Sequence, residues 1–143
     1  MTTNYRLTAS FLYVRVSFNR RSLWKATQEG SKLPVPHCIR DTDGWQITPV
    51  LREFVQDVCI DKPTFGSMEL ALYLKGLNET EPIEKITLIG LCTDICVISN
   101  AMLAKAALPE TEIAVDAACC AGVTPGSHEN ALEAMKMCQI TIE

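Results

Sequence analysis

The stretch that decides the fold is ITLIGLCTDICVISNAM, which occupies residues 86–102. Residues 86–89 are β-formers that end at Gly90, and after the polar pair Thr93-Asp94 a nearly uncharged helical pattern covers residues 95–108. This order predicts a buried parallel strand that turns directly into a buried helix, with Thr93 or Asp94 as its N-cap.

Cys96 falls in the first turn of this predicted helix. A thiol there faces backbone N–H groups without intrahelical partners and the positive end of the helix dipole, and both favour the thiolate. The same N–H groups can hold the oxyanion that forms when a thiolate attacks a carbonyl. The alternative is that Cys96 is one more small buried apolar residue, as free cysteines often are.

Composition limits the classes of protein. A chain of 143 residues with 48% hydrophobic composition is expected to form one domain with a true core. Its net charge of −4 offers no general attraction to nucleic acid or to anionic membranes. Its seven cysteines follow no recognisable secretory signal, which favours reduced thiols and a cytoplasmic location. No window approaches the ~18 apolar residues of a membrane helix.

The N-terminal segment differs in charge from the rest. Residues 1–28 carry five basic residues and no acidic residue. Such a segment is typical of a basic tail or a transit-like peptide. Residues 9–18 alternate partly like a strand, which favours packing on the sheet instead. Composition leaves both interpretations open.

Helical and strand patterns alternate in the remainder. The predicted elements are a helix from Pro49 through Phe54 and Val55 with Thr48 as cap, a strand at residues 58–60, a helix capped by Ser67 that closes near Gly76, a strand at residues 112–116, a helix from Pro125 through Met137 and a strand at residues 139–142. Alternating units of this kind predict a parallel sheet with helices on both faces. Because ligands bind beyond the carboxyl ends of such strands, Lys62, residues 93–96 and residues 116–120 are expected to converge.

Four motifs carry a family resemblance. IGLCTDICV at residues 89–97 resembles the nucleophile segment of the isochorismatase-like cysteine hydrolases, the superfamily that includes nicotinamidases. The other three, in the family's order, are LPVPHC at residues 33–38 with Gly44-Trp45, DKPTFG at residues 61–66, and DAACCAG at residues 116–122 with Thr124-Pro125. The resemblance divides the chain into an atypical basic segment, 1–26, and a hydrolase domain, 27–143. It implies a three-layer Rossmann-like α/β fold.

The resemblance also implies an activity. Cys96 matches the catalytic cysteine and Lys62 the catalytic lysine of nicotinamidases, which convert nicotinamide to nicotinate and ammonia through an acyl-thioester. The family's oxyanion hole matches the backbone N–H groups of Cys92 and Cys96, and the Leu91–Cys92 peptide is expected to be cis.

Further candidate site residues lie in or near these motifs. Phe65 and Trp45 are predicted to wall an aromatic substrate pocket, although core packing explains them equally well. His37 matches a metal-binding histidine, and Glu29 could join it in holding a zinc-like divalent ion. Two ligands make an incomplete set. His128, in the first turn of a predicted surface helix, receives no role.

The chain departs from the family at its N-terminus. The family's first strand supplies a catalytic aspartate and its second an Asp-x-His metal pair, yet this chain has no aspartate before Asp41 and no histidine before His37. We therefore expect the first strand and helix to be missing from a truncated or diverged N-terminus. The alternative function is a catalytically impaired family member acting as a structural or interaction protein. An exposed sheet edge would then favour homo-oligomers.

Overall fold

The computed structural model describes residues 12–17, 25–52 and 58–143. The strands are β1 (Tyr13–Val16), β2 (Cys59–Lys62), β3 (Lys85–Leu91), β4 (Glu112–Ala121) and β5 (Thr141–Ile142). The α-helices are α1 (Pro49–Arg52), α2 (Met68–Thr80), α3 (Ile98–Ala107) and α4 (Pro125–Met137). A π-helical turn, Thr93–Val97, directly precedes α3. No helix in the described ranges has the length and hydropathy needed to cross a membrane.

All strand pairs in the described ranges are parallel. β1 pairs with β2, and a second sheet has the order β3-β4-β5. In the first sheet Arg15 lies opposite Asp61, and Val16 lies opposite Lys62. The prediction of an α/β fold built on parallel strands is therefore confirmed.

The core lies between the helices and the strands of both sheets. Ala101 of α3, Ile113 and Val115 of β4, and Met135 of α4 are all fully buried. Alanines on α3 allow the helix backbone to approach its neighbours closely, and the larger side chains of β4 fill the space beneath it. Helix α4 begins as predicted because Thr124 forms a capping box and Pro125 occupies the first helical position.

Helix α2 is longer than its sequence indicated. Ser67 caps it as predicted, accepting a hydrogen bond from the Leu70 N–H. The predicted end near Gly76 is wrong, since the helix continues to Thr80. An interior glycine costs about 1 kcal/mol, and the packing of the helix, which buries Leu70 and Leu74, offsets that cost.

Two strand predictions also need correction. The last strand is limited to Thr141–Ile142 because Gln139 adopts a positive φ of 62° and belongs to the preceding turn. β3 is longer than predicted but not fully buried, since Ile89 is 57% and Leu91 70% exposed. Its alternating burial leaves one face of β3 uncovered. Among the described residues β3 pairs only with β4, so its other edge has no partner strand there.

The N-terminal and α1 regions are described in part. Residues 13–16 form a strand against β2, which favours sheet packing over a free tail for that stretch. The predicted extension of α1 through Phe54 and Val55 lies outside the described residues.

Candidate active site

A buried lysine lies at the carboxyl end of β2. The Lys62 side chain is 3% exposed. Its Nζ donates to the carbonyl oxygens of Thr64 at 3.0 Å and Phe65 at 2.7 Å, and to the Cys96 sulfur at 3.4 Å. These contacts use all three ammonium hydrogens. A buried ammonium needs a compensating charge, and a Cys96 thiolate would supply one.

Cys96 lies in the π turn that joins β3 to α3. The N–H groups of Ile95 and Val97 both donate to the Cys92 carbonyl, at 3.1 and 3.0 Å. The Leu91–Cys92 peptide before the turn is cis, as predicted. The prediction that Thr93 or Asp94 caps the helix is wrong, because Cys92 is the N-cap and no side chain caps the turn. Both predicted caps lie inside the turn.

Thr93 and its contact with α4 support the π turn that carries Cys96. Thr93 is fully buried, and its Oγ1 lies 2.8 Å from Nδ1 of His128. A side chain at Gly122 would meet the His128 backbone at 2.9 Å, so glycine is needed for α4 to come this close. His128, which received no role from sequence, thus contacts the turn that carries Cys96.

Asp94 provides a second link to the segment before α4. Its carboxylate accepts a hydrogen bond from the Val123 N–H at 3.1 Å. Burial acts to raise the pKa of Asp94, but hydrogen bonds from Ser127 and Val123 outweigh it and hold that pKa below its ordinary value of 3.8. Asp94 is therefore a structural carboxylate of the turn.

The loop after Lys62 is held from two sides. Oε2 of Glu29 accepts a hydrogen bond from the Phe65 N–H at 2.9 Å. The Asn100 side chain contacts the same loop from α3, donating to the Phe65 carbonyl at 3.0 Å and accepting from the Ser67 N–H at 2.9 Å. These contacts fix the two carbonyls that orient the Lys62 ammonium.

The predicted metal ligands do not form a metal site. The Glu29 carboxylate binds the Phe65 N–H, and Nδ1 of His37 lies 3.1 Å from the Val35 carbonyl. Among the described residues no three His, Cys, Asp or Glu side chains are grouped so as to hold a metal ion. Structural and catalytic zinc sites use at least three protein ligands, so these residues do not fit the group, and we assign it no step in the chemistry.

The two aromatic residues predicted to wall the pocket have different surroundings. Phe65 reaches Lys62 through its backbone carbonyl. The Trp45 ring lies 3.5 Å from the guanidinium of Arg15, and its Nε1 donates to Ser17 at 3.0 Å. Arg15 forms a salt bridge with Asp61, which precedes Lys62 and therefore points to the opposite face of the strand. The structure thus groups Trp45 with the Arg15–Asp61 pair.

Two other thiols lie near Cys96, and the pKa of each is raised above its ordinary value. Burial raises the pKa of Cys38, and the charge of Cys96 adds to that effect while Lys62 opposes it. Burial also raises the pKa of Cys92, followed by the charges of Asp94 and Cys96. Cys96 differs from both in having the Lys62 ammonium as a direct hydrogen-bond partner.

Sequence reasoning missed Asn100, the loop contact of Glu29 and the His128–Thr93 contact. Asn100 carried a usable signal, since it interrupts an apolar helical pattern and a buried amide must find partners. The other two contacts join residues 36 and 35 positions apart, and no local pattern reveals such pairings.

Comparison with known structures identifies the class of fold to which the chain is similar. The chain aligns with the nicotinamidase/pyrazinamidase of Bacillus subtilis at 25% identity and a TM-score of 0.74, over 93% of this chain and 74% of the other. It aligns with the pyrazinamidase/nicotinamidase of Streptococcus mutans at 20% identity and a TM-score of 0.76, over 94% and 75%. The pyrazinamidase of Pyrococcus horikoshii in complex with zinc aligns at 23% identity and a TM-score of 0.70, over 92% and 74%.

The fold is therefore that of the nicotinamidase-type, isochorismatase-like hydrolases. The family model described as the isochorismatase domain matches residues 5–143, and the chain belongs to that family. The matched range includes β1 and begins before residue 27, where the recognisable motifs start; the boundary between 1–26 and 27–143 stays a prediction.

Proposed function

We propose that this chain is a cysteine-dependent hydrolase of a small amide, with nicotinamide as the most suitable substrate. The observation that carries the proposal is the 3.4 Å contact between the buried Lys62 ammonium and the Cys96 sulfur. A fixed cation beside a thiol at a helix start favours the thiolate. Structural neighbours named as nicotinamidases and pyrazinamidases support an aromatic amide as the substrate.

The chemistry proceeds in two steps. The Cys96 thiolate attacks the amide carbon, and the backbone N–H groups of Cys92 and Cys96 stabilise the oxyanion. The C–N bond then breaks, the nitrogen takes a proton from solvent water and leaves as ammonia, and the acyl group stays on Cys96 as a thioester. Water attacks the thioester and gives up its protons to solvent, the C–S bond breaks, and nicotinate is released with the Cys96 thiolate restored.

The difficult event is proton delivery to the leaving nitrogen. Within the described residues, no carboxylate hydrogen-bonds the Lys62 ammonium or the Cys96 sulfur. General acid–base assistance is typically worth about 10²–10⁴-fold in rate. We therefore expect slow amide hydrolysis. The same observation favours the second candidate function, an impaired family member that acts as a structural or interaction protein.

The experiment compares two substrates that differ in their leaving group. Nicotinamide needs a proton on its leaving nitrogen, whereas the 4-nitrophenyl ester of nicotinic acid releases a stable phenolate without one. We expect a burst of nitrophenolate equal to the enzyme concentration, acylation of Cys96 by intact mass, and slow ammonia release from nicotinamide. Cys96→Ala should abolish all three signals, and Cys138→Ala, at an exposed thiol beyond α4, should leave them intact.

The two candidate functions give different results. Acylation at Cys96 with slow turnover of the amide supports the hydrolase. Absence of a burst, with ammonia release equal in the parent chain and in Cys96→Ala, would overturn it and favour the structural or interaction protein.

A further inference from the structure

Asn100 is a buried polar residue in the first turn of the apolar helix α3. It lies four residues after Cys96 and is 6% exposed. Its Nδ2 donates to the Cys96 carbonyl at 2.7 Å and to the Phe65 carbonyl at 3.0 Å. Its Oδ1 accepts from the Ser67 N–H at 2.9 Å. One amide therefore binds the nucleophile's own backbone and two residues of the short loop after β2.

That loop determines where the Lys62 ammonium points. Two of its three hydrogens go to the carbonyls of Thr64 and Phe65, which leaves the third for the Cys96 sulfur. The Phe65 carbonyl is shared, because it accepts from Lys62 and from Asn100. A displacement of this carbonyl would therefore turn the ammonium away from the sulfur.

The loop and α3 are packed at contact distance. A Cβ added at Gly66 would lie 2.8 Å from the Leu103 side chain. The loop is therefore packed directly against α3. The hydrogen bonds of Asn100 fix the position of the loop along the helix at this contact.

We propose that Asn100 is a positioning residue of the site, which sets the separation between the Lys62 ammonium and the Cys96 sulfur by holding the loop 64–67 on α3. The inference rests on the proposed function, in which that pair carries the chemistry. Asn100 itself touches neither substrate nor the reacting atoms.

Two substitutions separate positioning from ordinary structural support. Asn100→Ala removes all three hydrogen bonds. Asn100→Thr keeps a donor for the Cys96 carbonyl, since a threonine hydroxyl bonds readily to the carbonyl four residues earlier, but it loses the bonds to Phe65 and Ser67. A purely structural role predicts that reactivity returns with stability in Asn100→Thr. Positioning predicts that stability returns in part while reactivity stays low in both variants.

The readout is the rate of Cys96 alkylation by iodoacetamide at neutral pH, followed by peptide mapping, beside nitrophenyl nicotinate acylation on the full chain. Loss of one hydrogen bond to a charged group corresponds to about a tenfold or larger effect, so we expect at least that fall in both rates. Binding of nicotinamide should change little, so the effect falls on the acylation rate constant rather than on KM. Asn78→Ala is the control, because Asn78 accepts from the Ile83 N–H beyond the end of α2.

The outcomes are distinguishable. A folded Asn100→Ala or Asn100→Thr variant whose Cys96 is alkylated as fast as in the parent chain overturns the inference. If Asn100→Ala does not unfold cooperatively on heating, the inference is tested by the Cys96 alkylation rates of Asn100→Thr and of the isosteric Asn100→Asp. Rapid alkylation of Cys96 in the parent chain without acylation by the ester would overturn the proposed function alone, because the dependence of alkylation on Asn100 could still be read.

Discussion

Replacing Lys62 by methionine tests the central pair directly. Lys62→Met keeps an unbranched apolar side chain at this buried position and removes the ammonium. The Thr64 and Phe65 carbonyls lose a donor, which we expect to cost about 1–3 kcal/mol of stability. The Cys96 sulfur loses its hydrogen-bond partner among the described residues.

The size of the effect on Cys96 follows from the geometry. A unit charge 3.4 Å from the sulfur contributes about 5 kcal/mol at an effective dielectric constant of about 20. Desolvation offsets part of this, and measured hydrogen bonds to charged groups contribute about 1.5–3 kcal/mol. That range corresponds to a roughly 10–100-fold slower reaction at the Cys96 sulfur.

The assay is the second-order rate of Cys96 alkylation near neutral pH, measured by peptide mapping beside a thermal unfolding scan. Lys85→Met is the matched control, because Lys85 is a half-exposed lysine that pairs with Glu112 and Glu143 on the strand that precedes the site. Cys96 should react roughly 10–100-fold more slowly in Lys62→Met and unchanged in Lys85→Met. Equal rates in a folded Lys62→Met variant would refute the reasoning.

Three further predictions concern the thiols, the acid range and the proton donor. Limited alkylation near neutral pH should modify Cys96 first, since burial raises the pKa of Cys38 and of Cys92; preferential labelling of another cysteine while Cys96 stays inert would contradict the nucleophile assignment. Because the folded-state pKa of Asp94 is lowered, Asp94→Asn should destabilise the fold by about 0.5–1 kcal/mol above pH 4. That difference should shrink as the pH falls below 3.8 and through the lowered folded-state pKa, and a difference in urea titrations that stays constant as the pH is lowered would disprove it. Finally, adding a family-like N-terminal strand with its aspartate should raise Cys96-dependent ammonia release by about 10²–10⁴-fold, whereas brisk release by the unmodified chain would show that another group supplies the proton.

The parts of the fold that were correctly predicted from sequence are those determined by residues close together in the chain. Helix α4 begins where Thr124 and Pro125 indicate, because capping and a fixed φ are properties of neighbouring residues. The approach of Lys62 to Cys96 was also predictable, since carboxyl ends of parallel strands meet at one edge of a sheet.

The errors arise where distant contacts override local preference. The sequence predicts Thr93 as a helix cap. In the structure its hydroxyl is in hydrogen-bond contact with His128, 35 residues away, and the chain forms a π turn instead. For Glu29, nothing in the sequence indicated its contact with the Phe65 N–H, 36 residues away. An apolar run such as β3 predicts burial on both faces, and that burial also requires covering elements, which the run itself does not encode.

The division of the sheet explains why the site depends on so few side chains. Lys62 belongs to the β1–β2 sheet and Cys96 follows β3 of the other sheet, and the described strands of the two sheets do not pair with each other. A continuous hydrogen-bonded ladder would fix the distance between two such residues through the backbone. Here the distance is set by the packing of the loop after Lys62 on α3, by the hydrogen bonds of Asn100 and by the shared core. The distance between Lys62 and Cys96 therefore depends on how the two sheets are held together. Substitutions where the loop 64–67 packs on α3 should lower the reactivity of Cys96 before they abolish folding.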